Sequence, residues 1–117
     1  MAALFSERIT EIGSLGIHHK EIGAGRPLLM LHGWGGKADS FFPIALAFSD
    51  CRHCYLPDFP GFGDSSIPEQ AWDVTDYMQC LYSWMQANDL LGCDIIAHSF
   101  GCRVALQIGR ASCRERV

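Results

Sequence analysis

No apolar run in this chain approaches the roughly 18 residues that a membrane-spanning helix needs; even Phe41 to Phe48 stops far short. Glu7 and Arg8 interrupt the N-terminus, so neither a span nor a signal peptide is expected. There is no basic run either: 9 Lys plus Arg stand against 13 Asp plus Glu, a net charge of -4. A chain so balanced is not built to neutralise phosphates, which excludes nucleic acid as an expected partner. Internal repeats, low-complexity segments and interdomain linkers are also missing. The six cysteines are irregularly spaced, and without an export signal they do not suggest a disulfide framework. Reduced thiols and a cytoplasmic location are therefore expected. Cys51 and Cys54 form a C-x-x-C pair, but no second C-x-x-C or H-x-x-H pair completes a zinc site. Bound metal or a mixed disulfide there would mark a redox or metal protein; the simpler reading makes Cys54 a small core hydrophobe on a strand.

What is present suits one modest core: 117 residues, 49% hydrophobic and 11% aromatic. Gly16 to Ile22 alternates weakly and runs into the turn signal GAGRP, so it reads as a strand. Pro27 to His32 is a short unbroken apolar run, the pattern of a strand buried on both faces, and it ends in the glycine-rich HGWGG. Asp39 or Ser40 can cap a short helix reaching Ala47, and Phe41, Phe42, Ile44, Ala45 and Phe48 wrap so much of its surface that deep burial is expected. Arg52 to Leu56 is a strand that opens into PDFPGFGDSSIP, a loop by composition. Asp73 then caps a helix whose Val74, Tyr77, Met78, Leu81, Trp84 and Met85 share one face, ended by Asn88 and Gly92. Cys93 to Ala97 is a third buried strand, with a helix beginning near Phe100. Strands alternating with helices imply the α/β class, a mostly parallel sheet with helices on both faces.

The chemistry concentrates in Ala97-His98-Ser99-Phe100-Gly101, where a buried strand turns sharply into a helix. Such a turn lifts the Ser99 hydroxyl above the sheet edge and sets it at a helix N-terminus, while the small Ala97 and Gly101 let neighbouring segments approach. Taken alone, Ser99 could simply cap an ordinary helix. A second constellation, His32-Gly33-Trp34-Gly35-Gly36, follows another buried strand upstream and offers free backbone N–H groups. Acyl transfer through a tetrahedral intermediate needs two N–H donors aimed at the oxyanion, one beside the nucleophile and one from a separate loop. Phe100 and Trp34 fit those positions, with His32, Gly33, His98 and Gly101 shaping the site around them.

In three ordered places, HGWGG, DFPGFGDSS and AHSFG, the sequence resembles the α/β-hydrolase superfamily, over roughly Gly16 to Gln107. The resemblance is to the N-terminal half of the catalytic domain in small serine esterases. It implies Ser99 as nucleophile, the N–H groups of Trp34 and Phe100 as oxyanion donors, and Asp58 as an organiser of a turn rather than the acid of a triad. Ala97 stands where glycine is commoner and Cys102 where a second glycine often sits. A serine at the elbow argues against haloalkane dehalogenase and epoxide hydrolase chemistry, which use aspartate there. HGWGG also departs from the HGGP of proline iminopeptidases.

In such enzymes an acid and then a histidine follow the serine, but after Ser99 this sequence has no histidine and one acid, Glu115. The upstream histidines, His18, His19, His32, His53 and His98, are expected to be structural. The final IGRASCRERV is the in-frame translation of a common sequencing adapter, so residues 108–117, with Arg110, Arg114 and Arg116, are expected to be a non-native tail and 1–107 a partial domain. The expected parent is a serine hydrolase acting on a small-molecule carboxylic ester or related acyl compound, with no cofactor, and the chain itself is expected to be inactive. A non-catalytic binding module on the same fold and an acyltransferase are the alternatives. Esterase, thioesterase and carbon–carbon bond hydrolase are not distinguished by these residues.

Overall fold

The computed structural model describes residues 5–116, with side chains through residue 110. Strand β1 (Ser6–Ile12) and strand β2 (Leu15–Gly23) form an antiparallel hairpin, with Ile12 opposite Leu15 at its turn. Strand β3 (Arg26–Leu31) carries the apolar run, and β4 (Arg52–Pro57) and β5 (Asp94–Ala97) lie parallel to it on either side. The sheet order is β1-β2-β4-β3-β5, with β2 antiparallel to β4. The sheet is thus mixed, its parallel part being the three strands that the apolar runs predict.

Alternation along β3 divides the core in two. Leu28 and Met30 face one side, where they pack with Cys54, Leu56, Phe41 and Ala45. Leu29 and Leu31 face the other, against Tyr77, Leu81 and Trp84 of helix α2 (Val74–Ala87) and Val104 and Ile108 of helix α3 (Phe100–Arg116). Helices therefore cover both faces. Helix α2 begins with a capping box, the Asp73 carboxylate accepting from Asp76 N and the Asp76 carboxylate accepting from Asp73 N, each at 2.9 Å.

The segment after HGWGG differs from its expectation. A 3₁₀ turn at Ala38–Phe41 precedes helix α1 (Phe42–Phe48), and neither uses a side-chain cap: the N-cap positions fall on Lys37 and Phe41, which offer no acceptor, while Asp39 lies inside the turn and pairs with Lys20 Nζ at 2.8 Å. Within α1 only Ala45 is buried, while Ile44, Leu46 and Phe48 are exposed. Its apolar residues surround the helix, so one line alone can meet the sheet.

The compositional break expected after Gln107 falls inside α3, and the side chains of residues 111–117 lie outside the described residues. No helix among the described residues is long and apolar enough to cross a membrane.

Candidate active site

Between the end of β5 at Ala97 and the start of α3 at Phe100 the chain turns in two residues, His98 and Ser99. Ser99 adopts φ +54°, a left-handed conformation that costs a residue bearing a Cβ about 1–2 kcal/mol. The surrounding backbone enforces it: His98 N donates to Leu31 O at 3.0 Å, Gly101 N to His98 O at 3.0 Å and Cys102 N to Ser99 O at 2.9 Å. An ordinary N-cap serine sits in the extended region and accepts from the first-turn amides; Ser99 does neither among the described residues. Ser99 is left exposed.

The HGWGG loop arrives from β3 and is moulded onto this turn. A Cβ on Gly33 would stand 2.8 Å from His98 Nδ1 and 3.2 Å from Ser99 Cβ, so a side chain there would press on both residues of the turn. His32 is buried and anchors the loop by both nitrogens, Nδ1 lying 2.7 Å from Gly33 O and Nε2 accepting from Phe59 N at 3.0 Å. That pairing requires a neutral ring with its hydrogen on Nδ1. Burial, which outweighs the Gly33 carbonyl and the Asp58 charge, holds its pKa below the ordinary histidine value and favours the same form. No described residue accepts a hydrogen bond from the N–H of Trp34 or of Phe100.

Asp58 ties the second loop to the first. Its Oδ1 accepts from Ala38 N at 2.7 Å, its Oδ2 accepts from Asp64 N at 3.1 Å, and Oδ2 lies 2.9 Å from His18 Nδ1. Fully engaged and 3% exposed, it is a loop organiser, as the sequence resemblance implies. Ser65 and Ser66 extend the framework, their hydroxyls accepting from His18 N and Gly16 N at 2.9 Å.

Two clefts meet at Ser99 and Trp34. One, of about 370 Å³, lies between HGWGG and the segment holding Ser40, Phe41 and Ile44, with His98 and Ser99 on its floor. The other, of about 640 Å³, is walled by Trp72, Tyr77, Phe100 and Arg103. The Trp34 ring is 64% exposed and stands edge-on to Phe62 (4.8 Å) and Phe100 (5.2 Å), dividing the two. Sequence reasoning missed Phe41, Ile44, Trp72, Tyr77 and Arg103 as cleft residues. For Phe41, Ile44 and Tyr77 the apolar pattern carried only the signal of a core, and for Trp72 and Arg103 none.

Three of the histidines hydrogen-bond to carboxylates. His18 lies between Glu7 and Asp58, and His19 and His53 lie against Glu21 at 2.7 and 2.8 Å. His98 lines the first cleft, yet no described imidazole hydrogen-bonds to Ser99. The C-x-x-C pair is split: Cys54 is buried, with Sγ 3.9 Å from Ala45 O, whereas Cys51 is exposed and faces Phe48 O. Burial pushes the Cys80 thiol up to about 11, as befits a core hydrophobe. Glu7, His18 and Asp64 bring ligand-type atoms within 4.8 Å of one another. His18 has a carboxylate oxygen beside each ring nitrogen, Asp58 Oδ2 at 2.9 Å from Nδ1 and Glu7 Oε1 at 2.8 Å from Nε2.

The sheet order, the strained serine between strand and helix and the moulded glycine loop define an α/β-hydrolase core. The model of the alpha/beta hydrolase family matches residues 28–117, and the chain belongs to that family. Among curated proteins it is 48% identical over 48 residues to Lipase 1 of Psychrobacter immobilis, covering 41% of this chain and 15% of that protein. It is 42% identical over 52 residues to the pimeloyl-[acyl-carrier protein] methyl ester esterase of Shewanella woodyi, covering 44% and 20%. A bacterial membrane phospholipase A structure superposes with TM-score 0.78 at 30% identity, over 83% of this chain and 32% of that one. An epoxide hydrolase from Vigna radiata gives TM-score 0.83 over 89% and 35%, at 23% identity, a likeness of fold alone. The chain spans about a third or less of the lengths of these proteins.

Proposed function

We propose that this chain carries the nucleophile half of a serine hydrolase acting on a small-molecule carboxylic ester or related acyl substrate. The observation that carries the reading is the +54° φ of Ser99, a strain that no capping role explains and that presents the hydroxyl at the junction of two clefts. Ser99 attacks the acyl carbon, and the N–H groups of Trp34 and Phe100 receive the oxyanion. His32, Gly33, His98 and Gly101 fix the spacing of those groups. Relatives named lipase, esterase and hydrolase support the class. With no described imidazole on Ser99, proton transfer falls to an acid and a histidine further along a longer chain, in the order the family uses.

The test has two parts. In a chain extended to the length of its relatives, a fluorophosphonate probe labels Ser99, and Ser99→Ala abolishes the label. Absence of labelling there overturns the proposal in favour of a non-catalytic module. The 117-residue chain should hydrolyse short p-nitrophenyl esters no faster than its own Ser99→Ala variant. A serine-dependent rate would place the base among the residues described above.

A further inference from the structure

His18 stands between two carboxylates, with Nε2 2.8 Å from Glu7 Oε1 and Nδ1 2.9 Å from Asp58 Oδ2. Carboxylates only accept, so both contacts are hydrogen bonds only if both ring nitrogens carry hydrogen. The His18 side chain is 7% exposed, Asp58 is 4% and Glu7 is 58%. We propose that His18 is a positioning residue for the Ser99 cleft, a proton-operated clamp that fastens the β1–β2 hairpin through Asp58 to the HGWGG and PGFGDSS loops. Its bearing on catalysis rests on the hydrolase reading, but the clamp itself does not.

The charged groups around the ring come from four segments. Glu7 of β1 and Asp58 and Asp64 of the loop after β4 act on the ring directly; beside it on β2 stand His19 and Lys20, the latter paired with Asp39 of the 3₁₀ turn at 2.8 Å, while Arg8 of β1 is paired with Glu21. Burial is the largest influence on His18 and opposes its charge. The hydrogen bonds with Asp58 and Glu7, joined by the charges of Asp58 and Asp64, outweigh it and raise the pKa above the ordinary histidine value. The clamp is therefore closed at pH values where a free histidine has begun to lose its proton.

Losing that proton forces a choice, since a neutral imidazole can donate to one carboxylate only. Asp58 keeps the hydrogen on Nδ1, because a buried carboxylate deprived of a donor costs more than a solvated one. Glu7 then faces a lone pair and lets go. Asp58 keeps its three donors but loses its counter-charge beside Asp64, and a buried carboxylate without one favours opening of the loop that it holds at Ala38 N, which would let it hydrate.

NMR on the chain reads each step. Imidazole ¹⁵N shifts should report a doubly protonated His18 at low pH and an Nδ1–H tautomer above its titration. Exchange of the Ala38 amide, corrected for its intrinsic pH dependence, should accelerate about tenfold or more across that titration, as the buried Asp58 carboxylate is left without its counter-charge. Glu7→Gln should move the His18 titration and the Ala38 transition together to lower pH. His18→Gln should make Ala38 exchange fast throughout, and if that variant does not fold, the exposed Glu7→Gln decides alone. Ala38 exchange that ignores the titration, or a neutral Nε2–H tautomer, overturns the proposal. An unlabelled Ser99 would leave the clamp standing, so the two readings fail separately.

Discussion

Gly101 is pressed against the end of β3: a Cβ placed on it would lie 2.5 Å from Leu31 O and 2.8 Å from His32 O, both backbone atoms. A side chain there cannot swing aside, because its neighbours are the carbonyls that begin the HGWGG loop. Gly101→Ala should therefore destabilise the fold by about 1–3 kcal/mol, the usual cost of overpacking, read from urea midpoints. A neutral result would mean that α3 can lift away from β3, and that the nucleophile turn is softer than its hydrogen bonds suggest.

Ser99 carries the opposite kind of strain, in its own backbone rather than in its contacts. Ser99→Gly removes the Cβ that disfavours φ +54° and should stabilise the fold by about 1 kcal/mol, whereas Ser99→Ala retains the penalty and should not. Equal midpoints for the two variants would show that the turn stores no strain.

The parts of the site legible in the sequence are those made by neighbours along the chain. Ala97 to Gly101 and His32 to Gly36 announce themselves because an apolar run leads into small residues, and the structure puts a strained turn and a moulded loop at those places, although β5, expected to be buried, is only half-buried because no strand covers its outer edge among the described residues. The capping box at Asp73 is equally local. Strand β1 was not expected, since SERITEI offers little apolar alternation and its residues stay largely exposed; it exists by pairing with β2 from Ser6 to Ile12. The bond between His18 and Asp58 spans 40 residues, and no spacing rule relates the two.

Asp58→Asn tests how far the loops depend on one carboxylate. An amide offers a single acceptor oxygen where Asp58 serves Ala38 N, Asp64 N and His18 Nδ1, so one amide or the ring loses its partner. Breaking a buried pair in this way should cost about 3–5 kcal/mol. Chemical shift changes should centre on Ala38 and Asp64; a loss confined to the β1–β2 hairpin would assign the carboxylate a smaller role.

His19 gives the fold an acid-sensitive point. Burial, only partly offset by the hydrogen bond with Glu21, holds its pKa below the ordinary histidine value. The ring is fully buried against Trp84, and Nδ1 has no partner among the described residues. The unfolded chain thus binds a proton that the native ring resists, and this part of the stability falls as pH drops below the ordinary histidine value. His18 contributes the reverse slope: its raised pKa adds stability that is complete below the unfolded value and lost as pH rises through the folded one. Buried His32, its pKa also held below the ordinary value, contributes in the same direction, so urea midpoints of His19→Phe should lose part of the acid-side slope and keep the alkaline one. An acid-side slope undiminished in His19→Phe would move its origin to other groups.

Strand β5 pairs with β3 on one side and, among the described residues, with nothing on the other. Its last three residues, Ile95, Ile96 and Ala97, are half-buried and apolar, and no lysine or proline interrupts them. A short edge of that kind offers unpaired N–H and C=O groups to any extended segment that meets it. The 117-residue chain should therefore associate as its concentration rises, seen by light scattering or sedimentation. Ile96→Lys is the informative variant, because Ile96 packs on the face that α1 covers only thinly, where a long cationic side chain can reach water. It should lower association while leaving the circular dichroism spectrum intact. A chain that stays monomeric at every concentration would show that β5 is protected despite its open side. Association unchanged by Ile96→Lys would instead locate the contact at the exposed apolar residues of α1, Ile44, Leu46 and Phe48.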